Sequence, residues 1–303
     1  MYKEIINEFK KIKVKGCIIK QHGDIVLEYY KNDKVKDKQH KINSCTKSIV
    51  SALLGICLEK GIIESLDCTI DRYFSEYLQG EENEAKRNLT ILQLLTMTEG
   101  FDWPEFGEWN CFAHMEYAKD MVAYVLGRNL IREPGVQMNY NSGASQLIGE
   151  IIAISTGMPL VEFAKKELFA PLGIKEFTWW ERNGHALAGS GMKMHMADMM
   201  KFGELYLNGG VYQGRRILSE EWVHESFVPH YMTYDGIGAY GYHWWYTSVM
   251  SEGKKIDINF ALGYCGQYII VVPKLDMVIA IVSELKDTMA PMEIVKNALA
   301  KNA

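Results

Sequence analysis

The sequence predicts a mixed α/β (α+β) fold, in which both ends of the chain build one sheet and a helical region is inserted between them. Two observations predict the sheet: an apolar, β-branched pattern at residues 14–30, and similar runs at residues 256–263, 267–272 and 277–283. A third predicts the helices, because apolar residues at positions 44 to about 227 recur mostly at spacings of three and four. This order of elements favours a sheet with helices on its faces.

Each element has its own signals along the chain. The segment VKGCIIKQHGDIVLEYY is typical of a β-hairpin with its turn at Gln-His-Gly-Asp, and Pro-Lys-Leu-Asp marks the last turn between strands. Residues 290–301 have helical spacing. In the middle region, helix starts are predicted at Thr90, Pro159 and Ser219, and helix ends at Gly61 and Gly157. We therefore expect a sheet subdomain at about 1–60 and 230–303, and a helical subdomain at about 61–229.

Composition excludes several classes of function. The 303 residues are 48% hydrophobic and 23% charged, which is typical of a globular protein. A net charge of −5 without a basic stripe argues against a nucleic-acid partner. The first 16 residues alternate apolar and charged positions, which is typical of neither a signal peptide nor a membrane anchor. We expect a cytoplasmic protein with a small-molecule substrate and no membrane partner; the oligomeric state stays open.

Metal and cofactor chemistry has no motif in this chain. The six cysteines are scattered without CxxC, the eight histidines include no HExxH and no HxH, and GxSxG is missing. We expect free thiols, no metal and no cofactor.

The spacing SxxK occurs four times, at Ser44/Lys47, Ser190/Lys193, Ser251/Lys254 and Ser283/Lys286. Only the first match opens a strongly apolar helix, SIVSALLGICLEKG, so only its lysine is expected to face the protein interior. Burial disfavours the ammonium charge and makes such a lysine a usable base, while a helix N-terminus stabilises an oxyanion at the serine. The alternative is that Ser44 is an N-cap and Lys47 a snorkelling side chain.

Segments along nearly the whole chain resemble the serine β-lactamase/penicillin-binding-protein superfamily, in its branch of class C β-lactamases, DD-peptidases and carboxylesterases. They are the opening hairpin, INSCTKSIVSALLG, LTILQLLTMTEGFDW, EPGVQMNYNSGASQLIGEII, SGMKMHMADMMKFGELYLNGGVYQGRRILSEEWV, YGYHWWY and GYCGQYIIVVPKLDMVIAI. The resemblance implies a β-lactamase/transpeptidase-like fold with an antiparallel sheet. It also implies that Ser44 is the nucleophile and that Lys47 and Tyr140 move protons; which of these two deprotonates Ser44 stays open.

The other family motifs are altered. Tyr140-Asn141-Ser142 has serine where the family's Tyr-x-Asn motif has asparagine, so Ser142 offers a hydroxyl to the substrate in place of an amide. Tyr264-Cys265-Gly266 aligns with the third motif and replaces its cationic residue by a neutral phenol. The resemblance gives the oxyanion hole to the backbone N–H groups of Ser44 and Gln267, and Gly266 is expected to keep the strand open to a ligand.

Two tryptophans and one cysteine complete the candidates. Trp103 and Trp109 follow LTMTEG, where they could line the substrate pocket or pack elsewhere. Cys45 could also be a nucleophile, but the favoured interpretation is a buried, unreactive thiol. The sequence therefore predicts a serine hydrolase that forms an acyl-enzyme on Ser44, with an ester or small amide as substrate. The alternatives are a β-lactamase or DD-peptidase, and a non-catalytic ligand-binding protein of the same fold.

Overall fold

A computed structural model of the chain describes residues 1–107 and 109–302. The described strands are β1 (Gly16–Gln21), β2 (Asp24–Tyr30), β3 (His40–Lys41), β4 (Phe177–Trp179), β5 (Glu181–Arg182), β6 (His185–Ala186), β7 (Met192–Met194), β8 (Val211–Tyr212), β9 (Arg215–Arg216), β10 (Tyr231–Met232), β11 (Ala239–Tyr240), β12 (Trp245–Ser251), β13 (Lys254–Gly263), β14 (Gln267–Val272) and β15 (Met277–Val282). The described helices are α1 (Tyr2–Ile12), α2 (Asp33–Lys36), α3 (Thr46–Glu59), α4 (Asp71–Phe74), α5 (Glu84–Arg87), α6 (Ile91–Leu95), α7 (Cys111–Tyr117), α8 (Met121–Leu126), α9 (Ser142–Thr156), α10 (Leu160–Ala164), α11 (Met196–Leu207), α12 (Glu220–Phe227) and α13 (Ala290–Asn302).

Eight strands form one antiparallel sheet in the order β10-β11-β12-β13-β14-β15-β1-β2. The N-terminal strand β1 pairs with β15, with Gly16 opposite Val282, so both ends of the chain contribute to the sheet as predicted. The remaining strands form a three-stranded sheet, β3-β7-β4, and two short pairs.

Both faces of the central sheet are covered, which explains why β14 and β15 are apolar at nearly every position. On one face, Tyr268 and Ile270 of β14 belong to a core cluster with residues of α1 and α13. On the other face, Ile269 of β14 belongs to a larger cluster with residues of α3, α9 and α11. The catalytic candidates lie at the N-terminal ends of α3 and α9, beside this sheet.

Helix α11 joins the predicted helical subdomain to the sheet. It falls within residues 61–229, yet it packs directly on the sheet. Gly203 allows this close approach, because a Cβ atom there would lie 2.4 Å from Cγ1 of Val278 and 3.1 Å from Cγ2 of Ile269. The helical region is therefore not wholly separate from the sheet.

A helix that crosses a lipid bilayer needs about 20 predominantly apolar residues. Within residues 1–107 and 109–302, no single helix is long and apolar enough to cross one, whereas the bent pair Ser142–Thr156 and Leu160–Phe169, at 78° to each other, has sufficient length and composition.

Candidate active site

Ser44 lies in a 3₁₀ turn, Asn43–Cys45, that leads directly into α3. Asn43 has a φ of 49°, and its side-chain amide donates a hydrogen bond of 2.7 Å to the carbonyl oxygen of Tyr264. On the helix side, the Thr46 hydroxyl donates to the Asn43 carbonyl oxygen at 2.7 Å. These contacts fix the Ser44 backbone between α3 and the turn that joins β13 to β14.

Lys47 is one helical turn after Ser44 and is 1% exposed, as the apolar character of the helix predicts. Its Nζ lies 3.2 Å from Ser44 Oγ, 2.8 Å from Ser142 Oγ and 2.7 Å from the carbonyl oxygen of Gly189. Burial lowers the pKa of Lys47 to about 8, and the nearby carboxylate of Glu105 acts against this decrease. Lys47 therefore loses its proton more readily than an exposed lysine does.

Tyr140 lies just before α9, on the other side of Ser44. Its ring stacks on Trp245, with 5.5 Å between ring centroids, and Lys47 Nζ is 4.8 Å from the Tyr140 ring centroid. Burial raises the pKa of the Tyr140 phenol, and a hydrogen bond with Ser44 acts in the opposite direction. The structure thus brings Ser44, Lys47 and Tyr140 together, and the phenol remains protonated across the neutral range.

Asn141 fixes the start of α9. Its Oδ1 accepts hydrogen bonds from the backbone N–H groups of Gly143 at 2.7 Å and Ala144 at 3.2 Å, so it is the N-cap. Its Nδ2 donates to Oε1 of the fully buried Glu99 at 2.5 Å. Burial raises the pKa of the Glu99 carboxyl to about 8.

Glu105 is a site residue that the sequence analysis does not predict. Its side chain accepts hydrogen bonds from the Ser142 hydroxyl, from the Ser142 backbone N–H at 3.0 Å and from Trp103 Nε1 at 2.6 Å. It lies in an irregular loop, FDWPEFG, where no spacing distinguishes it from Asp102. Only the density of aromatic residues around it indicates a pocket.

Neither tryptophan of this loop is among the described residues that line the cavity. Trp103 is 3% exposed and packs in the core behind Glu105, so it is not among the described residues that line the cavity. A Cβ at Gly143 of α9 would lie 2.8 Å from its ring. Trp109 is exposed and stacks on His114. The structure therefore corrects Trp103 from a substrate-binding residue to a support for Glu105.

The third motif forms the tight turn between β13 and β14. Tyr264 is 66% exposed and lines the cavity, as expected for a substrate-facing residue. Gly266 does not face the ligand side: with φ of 80°, its Cβ would lie 2.7 Å from Ser283 Oγ, so the turn geometry requires glycine. That Gly266 also keeps the strand open to a ligand stays a prediction.

The Gln267 side chain anchors this turn, a role that the sequence did not predict. Its Nε2 donates to the carbonyl oxygens of Ser283 at 2.7 Å and Cys265 at 3.2 Å. Cys45 contacts the same residue, because its thiol donates to the Gln267 carbonyl oxygen at 3.5 Å. Burial raises the pKa of the Cys45 thiol, which keeps it protonated and makes it a poor nucleophile.

A cavity of about 620 Å³ opens onto Ser44. Its described lining is mostly aromatic and apolar, and it contains one carboxylate and no lysine or arginine: Asn43, Ser44, Glu105, Phe106, Gly107, Asn110, Phe112, Tyr140, Ser142, Ser190, Tyr234, Ile237, Trp245, Leu262, Tyr264, Thr288 and Met289. Within the described part of the chain, no cluster of three or more His, Cys, Asp or Glu side chains could hold a metal ion.

Comparisons with known proteins agree with this geometry. A family model described as Beta-lactamase matches residues 18–301. The chain is 23% identical over 295 residues to the 6-aminohexanoate-dimer hydrolase of Paenarthrobacter ureafaciens, covering 89% of this chain and 72% of that protein. It is 24% identical over 160 residues to the Monacolin J acid methylbutanoyltransferase of Aspergillus terreus, covering 47% of this chain and 38% of that enzyme.

Solved structures share the fold over almost the full length. A Bacillus anthracis protein provisionally described as a 6-aminohexanoate-dimer hydrolase has a TM-score of 0.81 and 22% identity, over 97% of this chain and 80% of that one. A class C beta lactamase from Rhodobacter sphaeroides has a TM-score of 0.73 and 16% identity, over 98% and 99% of the two chains. The β-lactamase/transpeptidase-like fold predicted from the sequence is confirmed.

Proposed function

Because this chain belongs to the Beta-lactamase family, we propose that it is a serine hydrolase that forms an acyl-enzyme on Ser44 and releases the acyl group to water. One observation carries the proposal: Ser44 Oγ lies 3.2 Å from the buried Nζ of Lys47, at the base of a cavity large enough for a small substrate.

The pKa shifts of Lys47 and Tyr140 support the division of proton transfer that we propose between them. Lys47, with its pKa lowered to about 8 by burial, takes the Ser44 hydroxyl proton as the oxygen attacks the substrate carbonyl carbon. Tyr140, kept protonated by burial, passes a proton to the leaving group when the carbonyl carbon releases it. The proton on Lys47 then passes to Tyr140, which restores the phenol. In the second half-reaction water attacks the acyl carbonyl carbon and gives a proton to Lys47, and the departing Ser44 oxygen takes up a proton, which regenerates the enzyme.

The oxyanion of each tetrahedral intermediate needs hydrogen-bond donors. The backbone N–H groups of Ser44 and Gln267 are assigned this role, with the Gln267 position braced by its own side chain. Ser142 is assigned to the site as the partner of Lys47, and Tyr264 as the residue at the cavity mouth.

The cavity lining supports a neutral substrate, an ester or a small amide. Aromatic walls favour apolar groups, and the Glu105 carboxylate without a lining cation disfavours a substrate carboxylate. The relative named 6-aminohexanoate-dimer hydrolase supports keeping a small amide beside the ester.

The test is intact-protein mass spectrometry after exposure to a fluorophosphonate serine probe. We expect one adduct, on Ser44, and no adduct in Ser44→Ala, because the Ser44 hydroxyl lies in the cavity, just before α3 and beside the buried Lys47. The Ser142 hydroxyl is also close to Lys47, but it donates its proton to Glu105. Ser190→Ala, Ser251→Ala and Ser283→Ala remove the serines of the other SxxK matches and should each retain labelling. Labelling that persists in Ser44→Ala, or wild-type protein that resists the probe, would contradict the assignment.

A further inference from the structure

The three hydrogen-bond neighbours of Lys47 Nζ are not chemically equivalent. The Gly189 carbonyl oxygen, at 2.7 Å, can only accept a hydrogen bond. The Ser142 and Ser44 hydroxyl groups, at 2.8 and 3.2 Å, can each donate or accept. A neutral lysine amine has two N–H donors and one lone pair. One N–H is used by the Gly189 carbonyl oxygen, so the lone pair points at whichever serine hydroxyl does not accept the other N–H.

Glu105 decides this question for Ser142. The Ser142 hydroxyl donates its single proton to a Glu105 carboxylate oxygen, which leaves only lone pairs facing Lys47. Lys47 must then donate one N–H to Ser142 and the other to Gly189. Its lone pair is left for the third neighbour, the Ser44 hydroxyl.

We propose that Glu105 is a positioning residue that acts through Ser142 to direct the lone pair of neutral Lys47 at Ser44. The inference rests on the proposed function, since it assigns an orienting partner to the proposed base. The same chain of contacts stabilises Lys47 once it has taken the proton, because its three N–H groups then meet three oxygen acceptors and the carboxylate lies behind one of them.

The carboxylate is held rigidly for this task. Trp103 Nε1 donates to Oε2 of Glu105 at 2.6 Å, and the backbone N–H of Ser142 donates to the same oxygen at 3.0 Å. The other oxygen is thereby left for the Ser142 hydroxyl. Serine at the third position of Tyr140-Asn141-Ser142 thus works together with a glutamate from another loop.

A charge at Glu105 also acts on Lys47 directly. The titratable groups that face Lys47 are Cys45 on its own segment, Tyr140 before α9, His243 before β12 and Glu105. Burial raises the pKa of Cys45 and Tyr140 and lowers that of His243 to about 3, so these three groups are neutral at pH 7. Removing the Glu105 charge therefore lowers the pKa of Lys47.

The experiment measures kcat, KM and the pH dependence of kcat/KM for a neutral aryl ester, with active sites titrated by the fluorophosphonate probe. Glu105→Gln removes the charge and turns an N–H group toward Ser142. Ser142→Ala removes the hydroxyl and keeps the charge. Glu150→Gln is the matched control, because Glu150 is also buried and hydrogen-bonded, to Gln146 at 2.9 Å, but belongs to another part of α9.

We expect both site variants to lose kcat per titrated site by roughly 10- to 100-fold with KM nearly unchanged, the range for a hydrogen bond to a charged group. We expect Lys47 to give the wild type an inflection of kcat/KM near pH 8. This inflection should move to lower pH in Glu105→Gln and stay in place in Glu150→Gln. The double variant Glu105→Gln/Ser142→Ala should have a kcat no lower than that of Ser142→Ala alone, since Glu105 orients Lys47 through Ser142. The direct effect of the Glu105 charge on Lys47 is read from the pH inflection instead.

Three results would each overturn the inference. The first is a pH inflection that does not move in Glu105→Gln, and the second is a rise in KM at constant kcat. The third is a double variant in which Glu105→Gln lowers the kcat of Ser142→Ala by as much as it lowers that of the wild type. Titration of active sites separates these results from misfolding, and Ser142→Ala tests the expected loss of kcat independently if Glu105→Gln yields too few sites. A wild-type protein that the probe labels at Ser44 upholds the proposed function in all these cases. Its failure to label would overturn both.

Discussion

Lys47 and Tyr140 flank Ser44 with opposite tendencies: burial makes the lysine easier to deprotonate and the phenol harder. We predict that Lys47→Ala and Tyr140→Phe each reduce ester hydrolysis by roughly 10²–10⁴-fold while the protein stays folded. The double variant should lose less than the product of the single losses, because groups on one proton path are not additive. Ester-hydrolysis kinetics of the wild type, both single variants and the double variant check this, with circular dichroism as the folding control. If the two losses multiply fully in the double variant, Lys47 and Tyr140 do not share a proton path.

Tyr264 places a neutral phenol where a cation would attract a substrate carboxylate. We predict that the wild type turns over neutral short-chain aryl esters with a higher kcat/KM than benzylpenicillin or nitrocefin. Tyr264→Lys should improve the anionic substrates selectively, by up to about 10–100-fold, with solvent screening at this exposed position reducing the gain.

The matched control for that substitution is Tyr117→Lys, which adds the same charge at an exposed position of α7 outside the cavity lining. It should leave the substrate ratio unchanged. A wild-type preference for a β-lactam, or an equal effect of Tyr264→Lys on both substrate types, would favour the β-lactamase alternative.

At the scale of elements, the turn between β13 and β14 depends on Gln267, whose amide joins Cys265 and Ser283. We predict that Gln267→Ala lowers the free energy of unfolding by about 1–3 kcal/mol, because the buried polar groups of Ser283 lose their partner. Activity should fall with it, since the turn carries the proposed oxyanion donor. Urea denaturation checks the first effect, with the exposed Gln79→Ala as control; equal stability of the two variants would show that the turn holds without its amide.

Elements with local signals could be predicted from the sequence. The hairpin of β1 and β2, the strands β13 to β15 and the caps at Thr90 and Ser219 lie where periodicity and capping residues placed them, because nearest neighbours in the chain determine them. Strand β12 was not predicted, because WYTSVMS lacks a regular alternation of apolar and polar residues, although Glu252-Gly253 forms the tight turn to β13.

Features that depend on contacts between distant segments could not be predicted. Glu105 meets Ser142 only because the loop before α7 folds over the start of α9. Glycine is required at position 266 because Ser283, which directly follows β15, leaves no space for a Cβ atom there. Helix α11 packs on the sheet because Gly203 fits closely against Val278. In each case the physical cause is a close approach that no local pattern encodes.

At the scale of the whole molecule, the buried Glu99 couples stability to pH. Burial raises the pKa of Glu99 from 4.5, its value in the unfolded chain, to about 8 in the folded protein. Between pH 4.5 and pH 8 the folded state therefore binds more protons than the unfolded state, so the free energy of unfolding falls as the pH rises. Glu99→Gln stays neutral at every pH and keeps an acceptor for Asn141. We predict that its Tm matches the wild type near pH 4.5 and exceeds it by a few degrees near pH 8.

Thermal unfolding at a series of pH values measures this difference. Glu133→Gln, at an exposed position, is the control and should follow the wild type throughout. A Tm difference for Glu99→Gln that does not grow with pH would show that the buried carboxyl already ionises in the folded protein.

The pairing of β1 with β15 has a consequence for the time at which the protein can fold. During synthesis, residues 16–21 leave the ribosome long before residues 277–282, and the β1–β2 hairpin has one apolar edge without its neighbour in that interval. Such non-local pairing slows folding and exposes the growing chain to aggregation. We therefore expect nascent chains that stop before β15 to bind chaperones, and the sheet to be completed only after β15 has left the ribosome.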